Sequence, residues 1–205
     1  MKRVLALAAV ALGLATVALA QVAMAQTTPP SRIRGTIAAI EGNSLTVTTR
    51  EGPVAKITLA ENYGVSAPRK LALADIKPNS YIGTAAVPAA DGTLTALEVV
   101  VIPEASRGSG EGHYAWDLAP NSSMTNANVD AVVESSAGRT LTLGYKGGSV
   151  KVVVPENVPV VQFGPAERSD LKPGLRVVVI ATKGADGTLT SGRVLVEKDG
   201  VPPPI

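Results

Sequence analysis

The chain has 205 residues, with 19 basic and 17 acidic side chains, one His and no Cys. The lack of Cys excludes a thiol nucleophile, a disulfide framework, Cys-ligated zinc and iron–sulfur clusters, and one His cannot supply a His-pair zinc motif. Aromatic residues make up only 3%, too few for a sheet that binds nucleic acid by stacking bases.

Residues 1–25 have the layout of a secretory signal peptide. Lys2 and Arg3 are followed by an apolar run from Val4 to Ala20, and Ala23-Met24-Ala25 gives a small-x-small cleavage site. Cleavage is expected after Ala25, with Ala20 as the less favoured alternative. The run is short for a membrane span and has no positive stop-transfer flank. The expected product is a soluble bacterial periplasmic or secreted protein, with no membrane insertion of the mature chain. Removing Lys2 and Arg3, the only charges of the leader, leaves 17 basic and 17 acidic side chains. The basic pI therefore lends no support to a nucleic-acid partner.

After a short tail (26–31) the chain repeats itself. Leu45-Thr46-Val47 recurs as Leu141-Thr142-Leu143 and Glu61-Asn62 as Glu156-Asn157. Asp75-Ile76-Lys77-Pro78 recurs as Asp170-Leu171-Lys172-Pro173, and Asp91-Gly92-Thr93-Leu94-Thr95 is identical to Asp186-Gly187-Thr188-Leu189-Thr190. Spacings of 95 or 96 define two modules, 32–103 and 128–199. Between them lies a Gly/aromatic connector, 104–127, and a Pro-rich tail, 200–205, follows the second.

Each module reads as β. Residues 33–40 form a first strand, Glu41-Gly42-Asn43 a turn, and Leu45 and Val47 alternate with threonines in a second. Ala55, Ile57 and Leu59 share one face of a third. Residues 61–79 read as irregular, with one helical turn over Leu71–Ile76 stopped at Lys77-Pro78-Asn79. Strands at about 80–87 and 93–102 flank the Asp91-Gly92 hairpin turn. The second module repeats the plan at 129–134, 140–145, 149–154, 175–182 and 188–197, and Val177–Ile180 suits a strand buried on both faces. Five short strands per module predict an all-β chain of two tandem five-stranded small β-barrels.

The order Gly-x-x-Leu-Thr-Val, Asp-[Ile/Leu]-Lys-Pro-[Asn/Gly] and Asp-Gly-Thr-Leu, ending in a Val-rich strand, resembles the bacterial secreted domain of unknown function DUF5666. That resemblance implies an OB-like barrel in each module. Some similar sequences carry a metal-transporter permease label, but a permease needs several spans and the chain offers none after its leader.

Chemistry is confined to 107–118, which holds the only His and the only Trp. Arg107, His113, Tyr114 and Trp116 are the expected surface for a small ligand or an envelope-protein partner, where the connector crosses the cleft between modules. Glu111, His113 and Asp117 form the alternative, a mixed N/O site for a divalent metal ion in a periplasmic accessory of metal transport. No catalytic residues are assigned. Ser109 lies outside a nucleophile-elbow motif, and the Gly108-x-Gly110-x-Gly112 run lacks the following helix of a dinucleotide site. Glu98 and Glu104 read as solvated strand ends, and Asp91 and Asp186 as turn residues. The leading expectation is a non-enzymatic binding or scaffold protein without a cofactor.

Overall fold

The computed structural model describes residues 30–135 and 138–204, so the expected leader lies outside the described residues. Among the described residues twelve strands follow one another: β1 (Ser31–Glu41), β2 (Ser44–Thr49), β3 (Val54–Lys70), β4 (Tyr81–Pro88), β5 (Leu94–Val101) and β6 (Gly112–Ala115). After the connector come β7 (Ser123–Ser135), β8 (Gly138–Tyr145), β9 (Gly148–Val154), β10 (Val160–Ala166), β11 (Arg176–Lys183) and β12 (Leu189–Val196). The chain is all-β, and the expected helical turn is a single 3-10 turn at Leu73–Asp75, repeated at Arg168–Asp170. Among the described residues no helix is long and apolar enough to cross a membrane.

The repeated turns use the same bonds. Asp91 Oδ1 accepts from the Thr93 backbone N–H at 3.0 Å and from its hydroxyl at 2.6 Å, and Asp186 holds Thr188 at the same two distances. Gly92 and Gly187 occupy matching left-handed conformations, φ 82° and 84°.

Several elements differ from expectation: β6 and β10 lie outside the expected strands, β7 begins at Ser123 and not at 129, and β3 is longer. β3 does not stop at Leu59 but runs for 17 residues, roughly 55 Å at ~3.3 Å per residue. In the second repeat Pro155 and Pro159 interrupt the equivalent stretch, because proline lacks the N–H that a ladder needs, and it becomes two strands, β9 and β10. The first repeat has Ala60 and Gly64 at those positions and stays extended. The irregular reading of 61–79 is thereby corrected over 61–70, where Tyr63, Val65 and Ala67 alternate into the barrel core as strand residues do.

The pairing of the strands also departs from the tandem plan. β1, β2 and β3 form a meander, but the strands that close it into a five-stranded barrel are β11 and β12 of the second repeat. β4 and β5 of the first repeat instead join β7, β8 and β9 in a second ring. Each ring thus takes three strands from one repeat and a hairpin from the other. The two turns that follow the 3-10 segments lock this exchange. Asn79, at φ 68°, donates its backbone N–H to Val129 O at 2.7 Å, and Gly174, at φ 89°, donates to Ile37 O at 2.9 Å. Each turn therefore docks on the first strand of the opposite repeat.

Two cores follow from the two rings. Leu45, Val47, Ile57, Val179 and Val194 fill the barrel, and Ile82, Val99, Leu141, Leu143 and Val152 fill the second ring. With so few aromatics, branched aliphatic side chains supply nearly all of this packing. β10 joins the halves, pairing antiparallel with β3 and in parallel with β5.

Candidate functional site: the cleft between the rings

Strand alternation determines what faces the cleft. On β11, Val177 and Val179 enter the barrel core, so Val178 and Ile180 point to its outer side. On β5, Val99 and Val101 pack on the second core, which turns Glu98, Val100 and Ile102 outward. These outer faces meet around a cavity of about 240 Å³. The barrel contributes Arg32, Val178 and Ile180, and the second ring contributes Gly83, Val100, Ile102, Met124 and Asn126. Phe163 of β10 and Trp116 of the connector complete the wall. The chain's single Phe and single Trp therefore line the same cavity.

The connector carries Trp116 there because β6 pairs with the first residues of β7, Tyr114 opposite Met124 and Ala115 opposite Ser123. Trp116 N donates to Ser122 O at 2.8 Å, which holds the backbone at the indole. The Arg32 guanidinium lies over the Trp116 ring, 3.7 Å from its centroid. Such stacking holds the cation in place and leaves its edge donors free. Tyr114 meets Trp116 edge-on at 5.9 Å and receives a hydrogen bond from Asn126 Nδ2 at 2.8 Å.

Charge at the cleft is uneven. Asp117 Oδ1 accepts from Arg34 at 2.8 Å, while Asp117 Oδ2 lies 3.9 Å from Arg32. The Arg34 side chain is only 10% exposed, and its Nε has no partner. Burial by itself would raise the Asp117 carboxyl, but the Arg34 hydrogen bond and the charges of Arg34 and Arg32 outweigh it and hold the group below its ordinary value.

Glu98 corrects the solvated-strand-end reading. It is 1% exposed, and neither carboxylate oxygen has a hydrogen-bond partner. Burial pushes its carboxyl up to about 8, against a smaller opposing pull from Arg34, so it is mainly neutral at pH 7. A lone charge inside Ala96-Leu97-Glu98-Val99-Val100-Val101-Ile102 was the available signal.

The other expected site residues are dispersed. His113 occupies the opposite face of β6 from Tyr114 and stacks on Tyr145, with Nδ1 2.9 Å from Thr125 Oγ1. Arg107 forms an ion pair with Glu104, also bonds Asn128, and sits over the Tyr81 ring, away from the cavity. Glu111 accepts from the Lys146 backbone N–H at 2.9 Å. Glu111, His113 and Asp117 are thus engaged separately, and among the described residues no three His, Cys, Asp or Glu side chains are grouped to hold a metal. Of the residues singled out in the sequence, Trp116 lines the cavity and Tyr114 and Asp117 support it. Arg32, Asn126, Met124 and Phe163 were missed because they are far apart in the chain and belong to no local motif.

Comparison of the chain with protein-family models, with curated proteins and with solved structures returns no match.

Proposed function

We propose that the protein is a non-enzymatic binding protein of the bacterial periplasm, built from two interlocked OB-like barrels related to DUF5666 domains, with its ligand site in the cleft between the rings. One observation carries this reading: the cavity gathers the only Trp, the only Phe and a stacked Arg from three separate parts of the chain. Small-molecule sites are commonly concave, mainly apolar and supplied with a few polar groups at domain boundaries. The volume suits a small ligand, since it exceeds the ~150 Å³ of an engineered cavity that takes up benzene and falls below the ~300–1,000 Å³ of drug-sized pockets.

Fluorescence of Trp116 reports on the site without labelling, because the chain has no other Trp. A panel of small apolar acids, alcohols and amines should contain compounds that shift this emission saturably. Val100→Phe, which fills the cavity, should abolish the response. An unchanged response in Val100→Phe would place binding elsewhere.

A further inference from the structure

We propose that the ligand of the inter-ring cavity is an amphiphilic carboxylate, a small apolar body with one acidic head, and that Arg32 binds the head. This rests on the reading of the cavity as a binding site and names the class of molecule it takes.

Two guanidinium groups, Arg32 and Arg34, share one carboxylate, Asp117. The sharing is unequal. Arg34 takes the short bond at 2.8 Å, whereas Arg32 stands 3.9 Å from the other oxygen. Arg32 is therefore the cation with unspent donors, and it is the one of the two that lines the cavity. Its guanidinium plane is already held against Trp116, so little further ordering is needed to present a fork to a carboxylate.

Among the described residues no acidic side chain lines the cavity to cancel this positive charge. Glu98 is the acidic side chain on the outward face of β5, two residues before the cavity-lining Val100. Buried without a partner, it stays protonated near neutrality and leaves the net charge of the cleft positive. The remaining walls, from Val100, Ile102, Met124, Phe163, Val178 and Ile180, are apolar and match a hydrocarbon or aromatic body.

The test uses the full chain without its leader and three probes of equal tail length: octanoate, octanol and octylammonium. Each is titrated at pH 6.5 with Trp116 emission as readout. Octanoate should bind at least tenfold more tightly than octanol, equivalent to about 1.4 kcal/mol, and octylammonium more weakly than either. Arg32→Gln should bring octanoate to the level of octanol, while Arg32→Lys keeps part of the preference. Octanol binding as tightly as octanoate, or an octanoate preference that survives in Arg32→Gln, overturns the carboxylate assignment and leaves the cavity as a binding site. A lack of saturable response to all three probes overturns the assignment and the binding reading together.

Discussion

Arg34 on β1 and Asp117 in the connector are 83 positions apart in sequence, and their side chains meet at 2.8 Å. The contact fastens the connector across the mouth of the cleft and places Trp116, the preceding residue, over the cavity. It also removes most of the cost of burying a guanidinium.

Asp117→Ala should therefore destabilise the fold by about 1–3 kcal/mol, because it strands a largely buried cation. Adding Arg34→Met should recover much of that loss, since a thioether of similar length tolerates the same surroundings. Urea denaturation of the three proteins measures both effects. A double variant no more stable than Asp117→Ala would show that the pair is not what Arg34 needs. The acid dependence has a definite sign. The carboxyl of Asp117 is held below its unfolded value, so its contribution is complete above about pH 4 and fades as pH falls through the folded value.

Glu98 has the opposite sign. Its folded value is raised to about 8, against ~4.3 in the unfolded chain. Between these limits the unfolded state gives up a proton that the folded state keeps, so stability declines as pH rises from about 4.3 to 8 and then levels off. Glu98→Gln, neutral and nearly isosteric, should flatten that slope and be more stable than the parent at pH 8 by a few kcal/mol. Thermal melts from pH 5 to 9 provide the comparison. Parallel curves for the two proteins would mean that Glu98 is ionised in the fold.

Two glycines separate steric from conformational requirements. At Gly35 an added methyl would run into the carbonyl oxygen of Thr48 and lie 2.8 Å from Val47 Cγ1. β1 and β2 must part to accept it, and Gly35→Ala should cost over ~3 kcal/mol or prevent folding. A methyl added at Gly92 would meet nothing within 4 Å, so Gly92→Ala carries only the strain of its positive φ, about 1 kcal/mol. A Gly35→Ala protein as stable as Gly92→Ala would contradict the β1–β2 register.

Exchange of hairpins predicts how a cut chain behaves. A protease site inserted at Gly108, where an added side chain would meet nothing within 4 Å, divides the protein between its repeats. In a tandem arrangement the products would part as independent domains. Here each ring contains strands from both products, so they should co-elute in native size exclusion and separate only in denaturant. Two separate peaks under native conditions would refute the interlocked pairing.

Much of the strand pattern was legible in the sequence. Period-two alternation at Leu45 and Val47, and the Asp-Gly-Thr turns, mark ten of the twelve described strands, eight of them close to their observed limits; β3 runs on past Leu59 and β7 begins before 129. The partners of those strands were not legible. β4–β5 and β11–β12 are near-copies with the same turn, so local sequence cannot state which meander each hairpin completes. That choice depends on contacts between distant residues, such as Asn79 with Val129 and Gly174 with Ile37. The cleft was obscured for the same reason. Trp116 stands out as the only Trp, whereas Arg32 becomes notable only when β1 is set beside the connector. Glu98 shows the limit of composition, since an acidic residue near a strand end is usually solvated, whereas here it is buried on the outward face of β5, within reach of Arg34 of the barrel.

The first and last of the described strands, β1 and β12, belong to the same barrel, and this imposes an order in time. The second ring has all its strands once β9 is made, but β1, β2 and β3 must wait for β12, close to the C-terminus. A chain made N-terminus first cannot close this barrel before β12 is complete. Until then β1, β2 and β3 can pair only with one another, and the outer edges of β1 and β3 wait for β11 and β12.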